Sequence, residues 1–91
     1  MESNQKEILL IAQEECAEVT QAISKIFRFG IEAEYNGRTN IERLTEETGD
    51  LICMIELMIE SGLIDRGEML YASGLKRQKL VKWSNIFKEI A

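Results

Sequence analysis

Two short stretches carry most of the chemistry available to this sequence. Glu14-Glu15-Cys16-Ala17-Glu18 and Glu46-Glu47-Thr48-Gly49-Asp50 each hold three acids in five residues, and each runs into apolar sequence. Histidine is absent, which excludes histidine general bases, histidine metal ligands and the Glu-x-x-His di-iron site of helical bundles. At ~100° per residue, Glu15 falls ~40° from Val19 and inside the apolar arc of its helix. Glu18 lies at the edge of that arc and Glu14 just beyond it. Glu47 lies at the edge of the Leu44, Leu51 and Ile55 arc, with Asp50 a little further out. Glu15 and Glu18 share a face as i,i+3 neighbours, and so do Glu47 and Asp50.

An ionised carboxylate on a core face is costly unless it is protonated, paired with a base or bound to a cation. Internal bases on these helices are sparse: Lys25, Arg28 and Arg43. A hard divalent cation held by Glu15, Glu18, Glu47 and Asp50 is the economical remedy. All-oxygen ligation without histidine or a cysteine pair favours Mg2+ or Mn2+ over zinc, and Mg2+ usually shares its site with substrate phosphates. The plainer reading is a pair of solvated acidic faces, which is common for a single E-x-x-E. Two clusters at apolar arcs of successive antiparallel helices weigh against it.

Three helices must position these acids. Apolar residues Ile8, Ile11, Ala12, Val19, Ala22, Ile23 and Ile26 recur at helical spacing and predict a helix over residues 4–28. Gly30, Asn36 and Gly37 predict a loop over 30–38. Thr39-Asn40-Ile41-Glu42 fits a capping box opening a second helix, which Gly62 stops after Ser61. Its core stripe is Ile41, Leu44, Leu51, Ile52, Ile55, Met58 and Ile59. Met54, Leu57 and Cys53 extend an apolar surface on the Glu47–Asp50 side, which calls for another partner. A second copy of the chain is the simplest candidate. Asp65-x-x-Glu68 opens a third helical stretch to about residue 88, carrying Met69, Ala72, Leu80, Trp83 and Phe87, with Gly74 a point of bending or breakage.

The bulk composition agrees with an all-α fold. Ninety-one residues make a single domain spanning 1–91, with no proline and few glycines. A chain this short buries a limited share of its surface, which again favours a partner subunit. The net charge of −5 is uneven: residues 1–60 hold 13 acids against 5 bases, and residues 61–91 hold 3 acids against 6 bases. An acidic body argues against nucleic acid as a partner. No apolar run reaches the ~18 residues of a membrane span, and no signal pattern opens the chain. Cys16 and Cys53 read as small buried hydrophobes in a reducing, cytoplasmic setting rather than as a disulfide.

The paired clusters, separated by 27 residues, resemble the EExxE…EExxD signature of the MazG-like all-α nucleoside triphosphate pyrophosphohydrolases. Gly49-Asp50-Leu51-Ile52 is similar to that family's G-D-L-[LI] continuation, and Lys79-Leu80-Val81-Lys82-Trp83-Ser84 to the tail of short, phage-type members. The resemblance spans about residues 5–84. It implies an antiparallel helical bundle of about three helices per chain, completed by homodimerisation or as a dimer of dimers. It also implies Mg2+-dependent cleavage of a (d)NTP between the α- and β-phosphates, giving (d)NMP and pyrophosphate, as nucleotide-pool housekeeping. By position, Glu15 and Glu18 match the first ligand pair, and Glu47 and Asp50 the second. Glu14 and Glu46 match the leading acids, with a supporting or water-orienting role. Glu15 or Glu18 is the candidate to orient or deprotonate the attacking water.

Lys79 and Lys82, in the basic cluster with Lys76 and Arg77, are candidates for the triphosphate, and Lys25 and Arg28 are further ones. Each is equally readable as a solvated helix-face charge. Trp83 either stacks on a base or fills a core or interface. Gly49 either lets a neighbouring helix or substrate approach closely or is a tolerated packing glycine. The short loop after the first helix leads us to expect a nucleobase pocket borrowed from a partner. The rival function is a non-catalytic nucleotide sensor or adaptor that retains the fold.

Overall fold

The computed structural model describes residues 1–88. The chain is mostly helical: α1 (Ser3–Phe29), a short hairpin of β1 (Glu34–Tyr35) and β2 (Arg38–Thr39), α2 (Asn40–Glu60) and α3 (Arg66–Trp83). None of these helices is long and apolar enough to cross a membrane.

The segment expected as a plain loop contains the two-stranded hairpin. Tyr35 pairs with Arg38 and Glu34 with Thr39, leaving Asn36-Gly37 as a two-residue turn. Both turn residues have positive φ, 54° and 77°, the conformation that Asn-Gly tolerates and that matches the twist of a hairpin. The capping box then forms as expected. Glu42 N donates to Thr39 Oγ1 at 3.2 Å, and Thr39 N donates to Glu42 Oε1 at 3.0 Å. The Thr39 N–H and the Thr39 hydroxyl, which also donates to Glu42 Oε1 at 2.9 Å, hold the Glu42 carboxyl below its ordinary value. Gly62, with φ 83°, ends α2 one residue beyond Ser61. α3 runs unbroken through Gly74 and stops at Trp83, short of residue 88. There Ser84 turns extended and its hydroxyl donates to Leu80 O at 2.7 Å.

α1 and α2 pack antiparallel along their lengths. Two contacts fix how far one helix has slid along the other. At one end, Gln5 Nε2 donates to Ser61 O at 2.8 Å. At the other, Asn40, only 4% exposed, donates from Nδ2 to Gly30 O at 2.9 Å and to Lys25 O at 3.3 Å. The backbone N–H groups of Asn40 and Ile41 donate to Ala33 O and Ile31 O, so the returning chain is stitched to the connection it has just left.

The core between the two helices is thin. Ala12, Ala22 and Met54 are its buried apolar residues. Met54 was expected on a surface turned to a partner, but it faces inward and is nearly sealed. Ile11, Ile23, Ile41 and Ile52, expected in the core stripes, are exposed, as are Ala72, Trp83 and Phe87 of the third stretch. Cys16 and Cys53 are exposed free thiols rather than buried ones. Gly49 has open space where a Cβ would stand, so nothing within the chain needs its close approach.

α3 has no packing against α1 or α2 comparable to theirs with each other among the described residues. The result is a slab of 46 × 39 × 14 Å. Its radius of gyration is 16.3 Å. A compact chain of this length would have roughly 12 Å.

Removing the Asn40 amide should cost about 1–3 kcal/mol, because it orphans partly buried carbonyl oxygens. Asn40→Asp should be worse than Asn40→Ala, since it sets a carboxylate against those carbonyls. Urea unfolding of the three proteins measures this. A loss below about 0.5 kcal/mol for both variants would mean Asn40 is not the register pin.

Candidate metal and phosphate site

The helix register brings acids from both clusters to one place. Glu15 on α1 and Glu47 and Asp50 on α2 each present a carboxylate oxygen, and all three oxygens lie within 4.8 Å of one another. Glu15 and Glu47 are half-buried and Asp50 is exposed. Partial burial, then the charges of Asp50, Glu18 and Glu14, push Glu15 above its ordinary value of 4.5. Partial burial, then Glu18, Asp50, Glu15 and Glu46, does the same to Glu47. Glu15 and Glu47 are thus disposed toward either a proton or a cation.

Glu18, the fourth expected ligand, stands outside this triad. It is exposed and close enough to repel Glu47, and the two line a small crevice of about 40 Å³. Lys25 and Arg43 line the same crevice, so of the expected phosphate-binding bases Lys25 lies beside the acids. Arg28 instead lays its guanidinium over the Phe29 ring, 5.0 Å from its centroid. Glu14 is exposed beside Glu15. Glu46 is turned toward the hairpin and forms an ion pair with Arg38. Lys79, Lys82 and Trp83 lie on α3 and line neither this crevice nor the cavity next to it. Trp83 is 77% exposed, with the Lys82 ammonium 5.1 Å from its ring centroid.

Two side chains outside the expected set shape the site. Arg43 Nη2 donates to Tyr35 O at 3.2 Å, and its guanidinium carbon sits 5.8 Å from the Tyr35 ring centroid. Its Nε is buried without a hydrogen-bond partner. Arg43 lies four residues, one turn, before Glu47, which was the signal that it shares that face. Tyr35 is placed by the hairpin, and Asn36-Gly37 was the signal for that.

The raised carboxyls have a definite consequence for stability. Between the unfolded value of 4.5 and the higher folded values of Glu15 and Glu47, the folded state binds more protons than the unfolded one. Stability of the metal-free protein therefore falls as pH rises through that window, and the penalty is complete at neutral pH. Metal-free Glu47→Gln should melt above the parent at about pH 7, and the gap should close at about pH 4. A variant that melts below the parent at neutral pH would show that Glu47 is not under net repulsion.

No protein-family model, curated protein or solved structure matches this chain, so the arrangement of its own side chains carries the functional argument.

Proposed function

We propose that this chain is a Mg2+-dependent nucleoside triphosphate pyrophosphohydrolase that cleaves (d)NTP between the α- and β-phosphates, releasing (d)NMP and pyrophosphate. The observation that supports it most is the meeting of Glu15, Glu47 and Asp50, whose oxygens lie within 4.8 Å of one another across two helices. These are three of the four residues that the sequence resemblance singles out as ligands. Acidic clusters are common on helices. This one is distinguished by two half-buried members that repel each other and by bases placed immediately beyond it.

The donor set fits a hard divalent cation. All donors are carboxylate oxygens, and the ion would offset the repulsion that raises Glu15 and Glu47. Glu15, Glu47 and Asp50 would hold Mg2+ or Mn2+. When bound, such an ion neutralises phosphate charge and lowers the pKa of a water in its shell.

The rest of the work falls to the chain. Water supplies the oxygen that replaces the bridging oxygen of the α–β anhydride, and the proton it gives up needs an acceptor. Glu18, exposed beside Glu47, is in place to take it. Lys25 and Arg43 offer positive charge to phosphate oxygens on the far side of the crevice. Glu46 acts at a distance, through its ion pair with Arg38, by holding the hairpin.

The reading includes a second copy of the chain, as a dimer or dimer of dimers in the cytoplasm. Leu70, Tyr71, Leu75, Val81 and Trp83 are exposed on an α3 with little to pack against. A second copy would cover them and would be the route by which Lys79, Lys82 and Trp83 approach a substrate.

Product analysis on a panel of NTPs and dNTPs tests the activity. With Mg2+ it should give NMP and pyrophosphate. EDTA should abolish this, and Glu47→Gln should lower the rate by about a hundredfold or more. NDP and phosphate would place cleavage at the other anhydride. No turnover, but Mg2+-dependent nucleotide binding, would move the protein to the sensor class. Sedimentation equilibrium tests the assembly. The expected mass is an even multiple of 10.4 kDa, and a monomer at micromolar concentration would overturn it.

A further inference from the structure

A cavity lies where the end of α1, the hairpin and the start of α2 meet. It holds about 390 Å³ and is lined in part by Lys25, Phe29, Glu34, Tyr35, Asn40 and Arg43. That volume is within the ~300–1,000 Å³ typical of small-molecule pockets. Lys25 and Arg43 also line the small crevice, together with Glu47 of the acid triad. These two bases therefore stand between the carboxylates on one side and the aromatic rings on the other. The order matches a nucleotide laid lengthwise: metal-bound phosphates, then phosphate and sugar, then base.

Three features point to a flat, polar-edged ring in this cavity. Phe29 and Tyr35 are 60% and 67% exposed while flanking a concave space, which suits stacking against a π-face. Arg43 Nε is a buried donor with no hydrogen-bond partner among the described residues. An N–H left so is costly, and a ligand acceptor would satisfy it. The remaining edge is rich in acceptors. Both Asn40 Nδ2 donor contacts go to the backbone, so its carbonyl oxygen is the side-chain atom left over, and Glu34 contributes a carboxylate.

We infer that this cavity, built by one chain, receives the nucleobase of the substrate and favours bases that carry an exocyclic amino group. The inference rests on the pyrophosphohydrolase reading above. Adenine and cytosine present their amino group to Glu34 and Asn40, and guanine presents its N1–H and amino group together. Thymine and uracil offer one ring N–H between two carbonyl oxygens, so fewer donors meet these acceptors.

The test is equilibrium binding, by calorimetry with Mg2+, of α,β-methylene analogues of dATP, dCTP, dGTP and dTTP, with inorganic pyrophosphate as the base-free probe. The parent should bind the amino-bearing analogues about tenfold more tightly than the thymine one. Tyr35→Ala and Phe29→Ala should each weaken nucleotide binding about tenfold and leave pyrophosphate unchanged. Glu34→Gln, whose amide also donates, should flatten the base preference. Glu47→Gln should weaken every probe. If Tyr35→Ala and Phe29→Ala leave nucleotide affinity intact while pyrophosphate still binds, the base lies elsewhere and the inference fails alone. If those variants change the sedimenting mass instead of ligand affinity, the rings belong to an interface and the inference fails. If the parent binds no probe with Mg2+, the hydrolase reading fails and takes this one with it.

Discussion

The height of α1 against α2 is pinned at one end by a buried amide. Asn40 opens α2 and ties its side chain back to Lys25 O and Gly30 O at the end of α1. Few apolar contacts are buried between the helices, so directional bonds must set their relative height. Asn40 does this at one end and the Gln5–Ser61 bond at the other. Sliding one helix by a turn would move its side chains about 5.4 Å, more than the span of the acid triad. The meeting of Glu15 with Glu47 and Asp50 is thus a consequence of a polar contact about two turns away from Glu47.

The same register creates the conflict that defines the site. Two half-buried carboxylates, Glu15 and Glu47, share a space with the exposed Asp50 that disfavours the charges of the first two. Their neighbours Glu14, Glu18 and Glu46 add to the repulsion. Most of the nearby bases are engaged elsewhere: Arg38 is paired with Glu46, Arg28 covers Phe29, and Arg43 donates to Tyr35 O. Lys25 lines the crevice with Glu18 and Glu47 but forms no ion pair with them among the described residues. A fold that keeps such a cluster at its main helical interface gives up stability there, a common feature of sites that handle charged ligands.

α3 presents a different imbalance. It is well capped by Asp65, whose carboxylate accepts from Glu68 N at 2.9 Å, and Arg66 is held by a two-pronged pair with Glu56. Local chemistry makes it a helix, yet its apolar residues find little among the described residues to cover them. A short domain with so few buried side chains stands at the margin of independent stability. The slab shape and the open apolar residues are two views of that one deficit.

Local information determined much of this protein. The three helices, the Thr39–Glu42 box, the stop at Gly62 and the two acid clusters all follow from residues within a turn or two of one another, where propensity and capping act. The hairpin was also legible, in Asn36-Gly37, although glycine and asparagine alone read first as an open loop. The faces of the helices were less so. Periodicity put Met54 on an outer surface and Ile52 in the core, whereas Met54 is buried and Ile52 is exposed. A stripe on one helix fixes its apolar side only to within the width of the arc, and the partner helix chooses within it. Which acids meet was likewise decided by tertiary structure. Spacing cannot say that Glu18 stands aside while Asp50 joins Glu15 and Glu47, or that Arg43 and Tyr35 close a cavity beside them. Those outcomes depend on the crossing and height of α1 against α2, and these are set by contacts between residues 10 to 56 positions apart.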